Sequence, residues 1–125
     1  MKSLPYWFVA LATLFALAGM GFGVYMSISQ NHELAGAHAH NNLIGFVAMT
    51  IYGFYYKLVP ATATTTLARV HFWIALIGSL TFGPGIGMAI LGQGEILVQV
   101  STLFVIGSMA IFSWTVFRNR SGLTV

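Results

Sequence analysis

The chain has 125 residues, of which 58% are hydrophobic and only 6% are charged. A soluble domain of this length carries charge on about a quarter of its residues, so the composition indicates a membrane protein. The five Lys and Arg residues are scattered and form no basic stripe, which argues against nucleic acid as a partner. The lack of cysteine excludes disulfides, thiolate metal sites, iron–sulfur clusters and covalently attached haem.

Polar or charged breaks divide the chain into four apolar runs, each long enough for one bilayer crossing. Because lipid cannot satisfy backbone hydrogen bonds, continuous apolar runs of this kind span a membrane as helices. We therefore predict an all-α membrane protein, with a single four-transmembrane-helix bundle over residues 1–125. The predicted spans are residues 5–26, 35–56, 70–91 and 96–117.

The cations fall on one side of this predicted bundle. They are Lys2, Lys57, Arg69, Arg118 and Arg120. The two acidic residues, Glu33 and Glu95, fall in the connections on the other side. Positive charge marks the cytoplasmic side of a membrane protein, so the pattern predicts both termini in the cytoplasm. The predicted location is a bacterial-type inner (plasma) membrane, crossed several times.

The N-terminal segment has one alternative interpretation. Lys2 followed by an apolar run that contains Ala16-Leu17-Ala18 is similar to a secretory signal with an A-x-A cleavage site. The run stays apolar to Met26, which is longer than the apolar region of a signal peptide. We therefore expect it to be kept as the first span.

The start of span two carries an unusual polar cluster. His38, His40, Asn41 and Asn42 enter the membrane together, and polar groups placed there are costly and usually kept for function. Positions two residues apart differ by about 200° around an α-helix, so the two imidazoles should point to nearly opposite sides. They cannot share one metal ion, but each can serve a different site. The alternative is that both rings only hydrogen-bond to the asparagines or to a neighbouring helix.

Small residues from spans one and three are expected at the depth of the two imidazoles. They are Gly19, Gly21, Gly23, Gly83, Gly85 and Gly87. Their missing side chains would leave room for a flat macrocycle, whereas close helix packing explains them equally well. Pro84 removes a backbone donor and is expected to kink span three. Met20, Met26 and Met88 are candidate axial ligands at this depth, although methionine more often packs.

His71 lies at the cytoplasmic start of span three, about 25 Å from His40 by helix rise. It therefore cannot bind the same metal atom within one chain. We expect it to be mainly structural, hydrogen-bonding in the inner interface beside Trp73, with a second metal site as the alternative. His32, beside Glu33 in the outer connection, is expected to be solvated.

Four motifs follow one another along spans two and three. They are His38-Ala39-His40 with Gly45-Phe46, then Tyr55-Tyr56-x-Leu58-Val59-Pro60, then Arg69-Val70-His71-Phe72-Trp73, and then Gly83-Pro84. In this order and at this spacing they resemble subunit I of the haem–copper oxidases, in particular its nitric-oxide-reductase-like and C-type branches. The resemblance covers about half of the chain.

The resemblance implies roles for the two imidazoles. His38 is similar to the ligand of the family's high-spin haem, and His40 is similar to the ligand of its low-spin haem. A second alignment would make His40 similar to a copper ligand of the family. In that alignment, Gly45 falls one residue later than the corresponding glycine of the family. The His pair of the family's copper-binding segment is replaced here by Gly85-Ile86. One chain therefore lacks a complete copper site, which argues against oxygen reduction by the family's mechanism.

The resemblance also implies an assembly. The family's subunit is built as three arcs of four helices, and this chain resembles one arc. A homo-oligomer is therefore expected: a trimer would reproduce the three arcs, and a dimer would supply one imidazole from each chain to a shared haem.

From these residues we expect a small integral-membrane protein that holds haem b through His38, His40 or both, with Gly83, Gly85 and Met88 beside the ring. Its role would be electron transfer with a redox partner protein, or binding of a diatomic gas such as oxygen or nitric oxide. Any enzymatic activity would be of the oxidoreductase kind, because no carboxylate dyad or nucleophile triad can be assembled.

Two alternatives stay open. One is a copper site assembled by symmetry from histidines of several chains, for which His38, His40 and His71 are the candidate ligands. The other is a non-catalytic membrane scaffold or assembly subunit, in which the motifs serve packing alone.

Overall fold

The computed structural model describes residues 2–125, in which 85% of the chain is helical and no strand occurs. The elements are α1 (Leu4–Ser29), α2 (Ala35–His40), a π-helical segment (Asn41–Ala48), α3 (Met49–Leu58), α4 (Pro60–Ala63), α5 (Thr66–Ile90), α6 (Ile96–Arg118) and a final 3-10 turn (Arg120–Gly122). The predicted all-α class is confirmed.

Three helices are long and apolar enough to cross a membrane, namely α1, α5 and α6. They correspond to predicted spans one, three and four, and their bounds lie within a few residues of the predicted ones. The chain is therefore a membrane protein by the length and composition of its helices. The second predicted span coincides with α2, the π-helical segment and α3, which follow one another directly.

The π-helical segment was not predicted from the sequence. Its wider turns change the backbone hydrogen-bond pattern, and such turns often occur at functional sites. Side chains bond to carbonyl groups in and beside it: the Ser79 hydroxyl donates to Ile44 O at 3.4 Å and Thr50 Oγ1 donates to Phe46 O at 2.7 Å. Asn41 Nδ2, at its start, donates to Phe15 O of α1 at 3.4 Å. These bonds tie the segment to α5 and α1.

Each long helix packs chiefly against its neighbours in sequence. α1 packs on the π-helical segment and α3, α2 packs on α5, and α5 packs along α6. The short connections place Glu33 and Glu95 at one end of the bundle, which we call the acidic end. Lys57, Arg69 and Arg118 lie at the opposite end, which we call the basic end.

The buried apolar core lies mainly in the half of the bundle next to the basic end. It is contributed by α1, α3, the α3–α4 link, α4 and the first turns of α5. The core residues are Leu4, Phe8, Ala12, Met49, Tyr52, Tyr55, Tyr56, Val59, Ala63, Ala68, Phe72 and Ala75. The half next to the acidic end instead holds the histidine pair and most of the glycines.

Candidate functional site

His38 lies on α2 and faces α1. Its ring centroid is 6.0 Å from that of Phe22. Gly23 makes room for the imidazole, since a Cβ atom there would lie 3.3 Å from His38 Cε1. His38 Nε2 is 3.4 Å from Asn42 Nδ2, a long contact. His38 Nδ1 is buried without a hydrogen-bond partner, which is true of no other non-exposed side chain in residues 2–125. The imidazole is therefore only partly satisfied by the protein.

A groove of 410 Å³ adjoins this imidazole, and we call it the His38 groove. Its walls come from α1, α2 and the second half of α5. The residues that define it are Gly19, Phe22, His38, Asn41, Gly83, Gly87 and Met88. The volume falls within the range of sites that bind small molecules and cofactors, about 300–1,000 Å³. The lining is mostly apolar, so the groove suits a largely apolar ligand with one coordinating group.

The glycines predicted beside a cofactor divide into two groups. Gly83 and Gly87 line the His38 groove, and a Cβ atom at Gly87 would meet only ordinary contacts, at 3.8 Å from Leu34. Gly85 points elsewhere, because a Cβ atom there would lie 2.8 Å from the backbone nitrogen of Val98. The expected position of Gly85 beside the ring is therefore corrected: it serves close packing of α5 on α6 and is not part of the candidate site.

His40 lies on a different side of the second span from His38, in agreement with the predicted opposite directions. Its ring is exposed and packs edge-on against Phe82 at 5.6 Å. His40 Nδ1 donates to Gly36 O at 2.7 Å, which leaves Nε2 as the free nitrogen. His40 does not line the His38 groove, so the two imidazoles cannot hold one group from the same chain.

His71 is completely buried, with 0% exposure. Its Nδ1 atom lies 2.8 Å from the Tyr56 hydroxyl and its Nε2 atom lies 3.4 Å from the Ser108 hydroxyl. The rings of Phe8, Tyr52, Tyr56 and Phe112 surround it within 6.1 Å. We call His71, Phe8, Tyr52, Tyr56, Ser108 and Phe112 the His71 layer.

The His71 layer agrees with the expected structural role of this histidine, but its partners were not foreseen. Trp73, the expected neighbour, is 56% exposed, whereas the partners come from α3 and α6. Nδ1 is bound by the Tyr56 hydroxyl, Nε2 has a long contact with Ser108, and the ring has no exposed surface, so a metal ion has no open approach to His71. The alternative of a second metal site at His71 is therefore not supported by its geometry.

The remaining candidate ligands are dispersed. Residues 2–125 contain no group of three or more His, Asp or Glu side chains placed to hold a metal ion. Met88 lines the His38 groove, whereas Met20 is 65% exposed and does not line it. Met26 is buried and does not line it either. A metal held in the groove by one chain would therefore depend on His38, with Met88 as the candidate second ligand among the predicted methionines.

Comparison with protein-family models, with curated proteins and with solved structures gives no significant match. The resemblance to subunit I of the haem–copper oxidases depends on the four sequence motifs alone.

Proposed function

We propose that the chain is a membrane protein that holds one haem b in the His38 groove, with the His38 imidazole as the residue that would hold the iron. The observation that supports this most is the His38 ring, which lines a 410 Å³ groove while its Nδ1 atom has no hydrogen-bond partner and its Nε2 atom has only a long contact with Asn42. Buried polar groups nearly always have a partner, and an exception calls for a ligand or solvent. An imidazole whose nitrogens are not both hydrogen-bonded by the protein is suited to coordinate iron.

Two features of the groove support a flat apolar ring as its ligand. Glycines at positions 23, 83 and 87 keep side chains away from the imidazole and from the α5 wall. Phe22 supplies an aromatic surface next to His38. A macrocycle in this groove would lie against apolar side chains and, on its open side, against lipid.

Haem supplies one-electron transfer and diatomic-gas binding, and the protein sets its potential and access. In this chain, His38 would hold the iron and the apolar walls would exclude water. Met88 would decide between the two activities: if its thioether also held the iron, electron transfer would be favoured, and if it did not, binding of oxygen or nitric oxide would be favoured.

Optical spectra of the purified protein test the haem. Wild type should show a Soret band, and His38→Ala should lose most of it. His40→Ala is the matched control, since it removes an imidazole of the same motif outside the groove and should keep the band. A Soret band unchanged in His38→Ala would contradict the proposal. Copper without iron in elemental analysis would favour the copper alternative instead.

We further propose that the chain crosses a bacterial-type inner membrane four times, with both termini in the cytoplasm. Residues 35–58 support a second crossing because α2, the π-helical segment and α3 form a continuous helical stretch. Cations gathered at one end and acids at the other support the orientation.

Cysteine labelling tests this topology. The chain has no cysteine, so a single introduced cysteine reports on which side of the membrane its position lies. An impermeant thiol reagent added outside should label Asn31→Cys and not Ser121→Cys; the reverse pattern would invert the topology.

His40 supports a proposed homo-oligomer. Ligating histidines commonly donate their second ring nitrogen to a backbone carbonyl, as His40 Nδ1 does to Gly36 O. Its other ring nitrogen has no hydrogen-bond partner in the chain and the ring is exposed, so a second chain could complete a metal site there, separate from the haem of the His38 groove. Native mass measurement in detergent should show a dimer or trimer, and a strict monomer would contradict this assembly. A metal-free protein that stays folded and oligomeric would favour the scaffold alternative.

A further inference from the structure

A second pocket lies at the basic end, far along the bundle from the His38 groove. It has a volume of 280 Å³ and lies between the α4–α5 link and the last turns of α6. The lining residues that matter below are Thr62, Thr65, Leu67, Trp114, Arg118 and Asn119. Nothing in the proposed haem function uses this pocket.

Arg118 is the only charged side chain in the lining. Its guanidinium carbon lies 5.9 Å from the centre of the Trp114 ring, within the range of a cation–π contact. The only acidic residues of the chain, Glu33 and Glu95, lie at the acidic end. No carboxylate side chain at the basic end can therefore neutralise Arg118.

The hydroxyl groups of Thr62 and Thr65 in the pocket are already hydrogen-bonded to the backbone. Thr62 Oγ1 donates to Val59 O at 2.7 Å, and Thr65 Oγ1 donates to Thr62 O at 2.9 Å. Thr65 Oγ1 also accepts from Ala68 N at 3.1 Å, which caps α5. These bonds fix the shape of the α4–α5 link, which forms one wall of the pocket. Arg118 is then the side chain that is available to bind a charged ligand.

We propose that this pocket binds the headgroup phosphate of an anionic phospholipid. The planar guanidinium matches two phosphate oxygens, and basic pockets between helices on one side of a membrane are typical sites for anionic headgroups. Trp114, which lines the pocket, is 58% exposed, and Phe117, three residues further along α6, is 80% exposed, so the two rings form an apolar surface on that helix. Arg118 would hold the phosphate while this surface contacts the acyl chains.

Native mass spectrometry of the detergent-solubilised protein, titrated with phosphatidylglycerol or phosphatidylcholine, tests the site. Wild type should retain one phosphatidylglycerol about tenfold more tightly than phosphatidylcholine, because the choline cation of phosphatidylcholine offsets the phosphate charge that attracts Arg118. Arg118→Gln should lose this preference. Arg118→Lys should keep part of it, because lysine keeps the positive charge but lacks the planar guanidinium that can bond to two phosphate oxygens.

Arg69→Gln is the matched control. It removes the same charge from the same end, but Arg69 bonds to Thr66 Oγ1 and does not line the pocket. Its lipid preference should stay within about twofold of wild type. Equal losses in Arg69→Gln and Arg118→Gln would overturn the proposal, because the end would then attract lipid by net charge alone.

Competition with inorganic phosphate distinguishes a phospholipid headgroup from a free phosphate ion as the ligand of the pocket. Millimolar phosphate should not displace the lipid, since it lacks the acyl chains that contact Trp114 and Phe117. Displacement would assign the pocket to a free anion and overturn the lipid assignment. The outcome does not depend on haem, because neither Arg118 nor Trp114 touches the His38 groove.

Discussion

The His71 layer and the His38 groove show two ways in which a membrane bundle can accommodate an imidazole. His71 is fully buried, both of its nitrogens have partners, and aromatic rings fill the space around it. His38 is partly exposed, has one buried nitrogen without a partner, and borders an open volume of 410 Å³. The comparison separates a histidine that stabilises the fold from a histidine that is available to a ligand.

The difference comes from the side chains that each half of the bundle supplies. Around His71, α1, α3 and α6 contribute Phe8, Tyr52, Tyr56 and Phe112. Around His38, the positions on α1 and α5 are largely glycine and alanine. Aromatic rings exclude a ligand from the first region, whereas missing side chains leave space for one in the second.

The largest expected difference comes from removing one phenylalanine in each region. Phe8 is completely buried against His71 and the tyrosine rings, so Phe8→Ala should lower the free energy of unfolding by about 3–5 kcal/mol. Phe22 is half-buried beside an existing groove, so Phe22→Ala should cost about 1 kcal/mol or less. Denaturant titration in a fixed detergent measures both. Equal losses would show that the two regions are packed alike.

A ligand should stabilise only the open region. Haem at about 100 times its dissociation constant should raise the free energy of unfolding of wild type by about 2.7 kcal/mol. His38→Ala should show no such gain, and His40→Ala should keep it. Unfolding measured with and without haem tests this. A gain that survives in His38→Ala would place the haem elsewhere.

A smaller effect is expected from the hydrogen bond inside the His71 layer. His71→Phe keeps an aromatic ring but leaves the buried Tyr56 hydroxyl without its partner at 2.8 Å, which should cost about 1–3 kcal/mol. Adding Tyr56→Phe removes the unpaired hydroxyl and should recover part of the loss. A double-mutant cycle on unfolding measures the coupling. Strict additivity would show that the two side chains do not interact.

The smallest effect should distinguish two faces of α5. Gly85→Ala forces a Cβ atom to within 2.8 Å of the Val98 backbone, so it should destabilise the protein by about 1 kcal/mol. Gly87→Ala meets contacts of 3.8 Å or more and should leave the stability unchanged or slightly higher. It would, however, narrow the groove and weaken haem binding. Unfolding and haem titration of both variants test this; a destabilised Gly87→Ala would show that the groove is not open on that side.

The sequence predicts the long helices well. A run of apolar residues is a signal about twenty residues long, so α6 was expected at residues 96–117 and is found at Ile96–Arg118. The opposite directions of His38 and His40 follow from helix geometry alone. Both predictions need only local information along one helix.

The contacts between helices were harder to predict. The spans are apolar on all sides, so the pattern does not show which face meets which neighbour. For this reason the Tyr56 and Ser108 partners of His71 were missed, and Gly85 was placed beside a cofactor instead of against Val98. The π-helical segment also escaped prediction, because a uniformly apolar stretch does not distinguish its wider turn from an α-helical one.

That segment determines how the two ends of the second span are oriented relative to each other. Residues 41–48 separate the imidazole pair on α2 from the tyrosines on α3, and every added or lost residue in a helix turns one end about 100° against the other. A one-residue deletion in this stretch would turn His38 away from Phe22 and would also displace the Asn41–Phe15 and Ser79–Ile44 bonds to α1 and α5. The orientation of the ligand-facing half relative to the half that keeps the protein folded therefore depends on these eight residues.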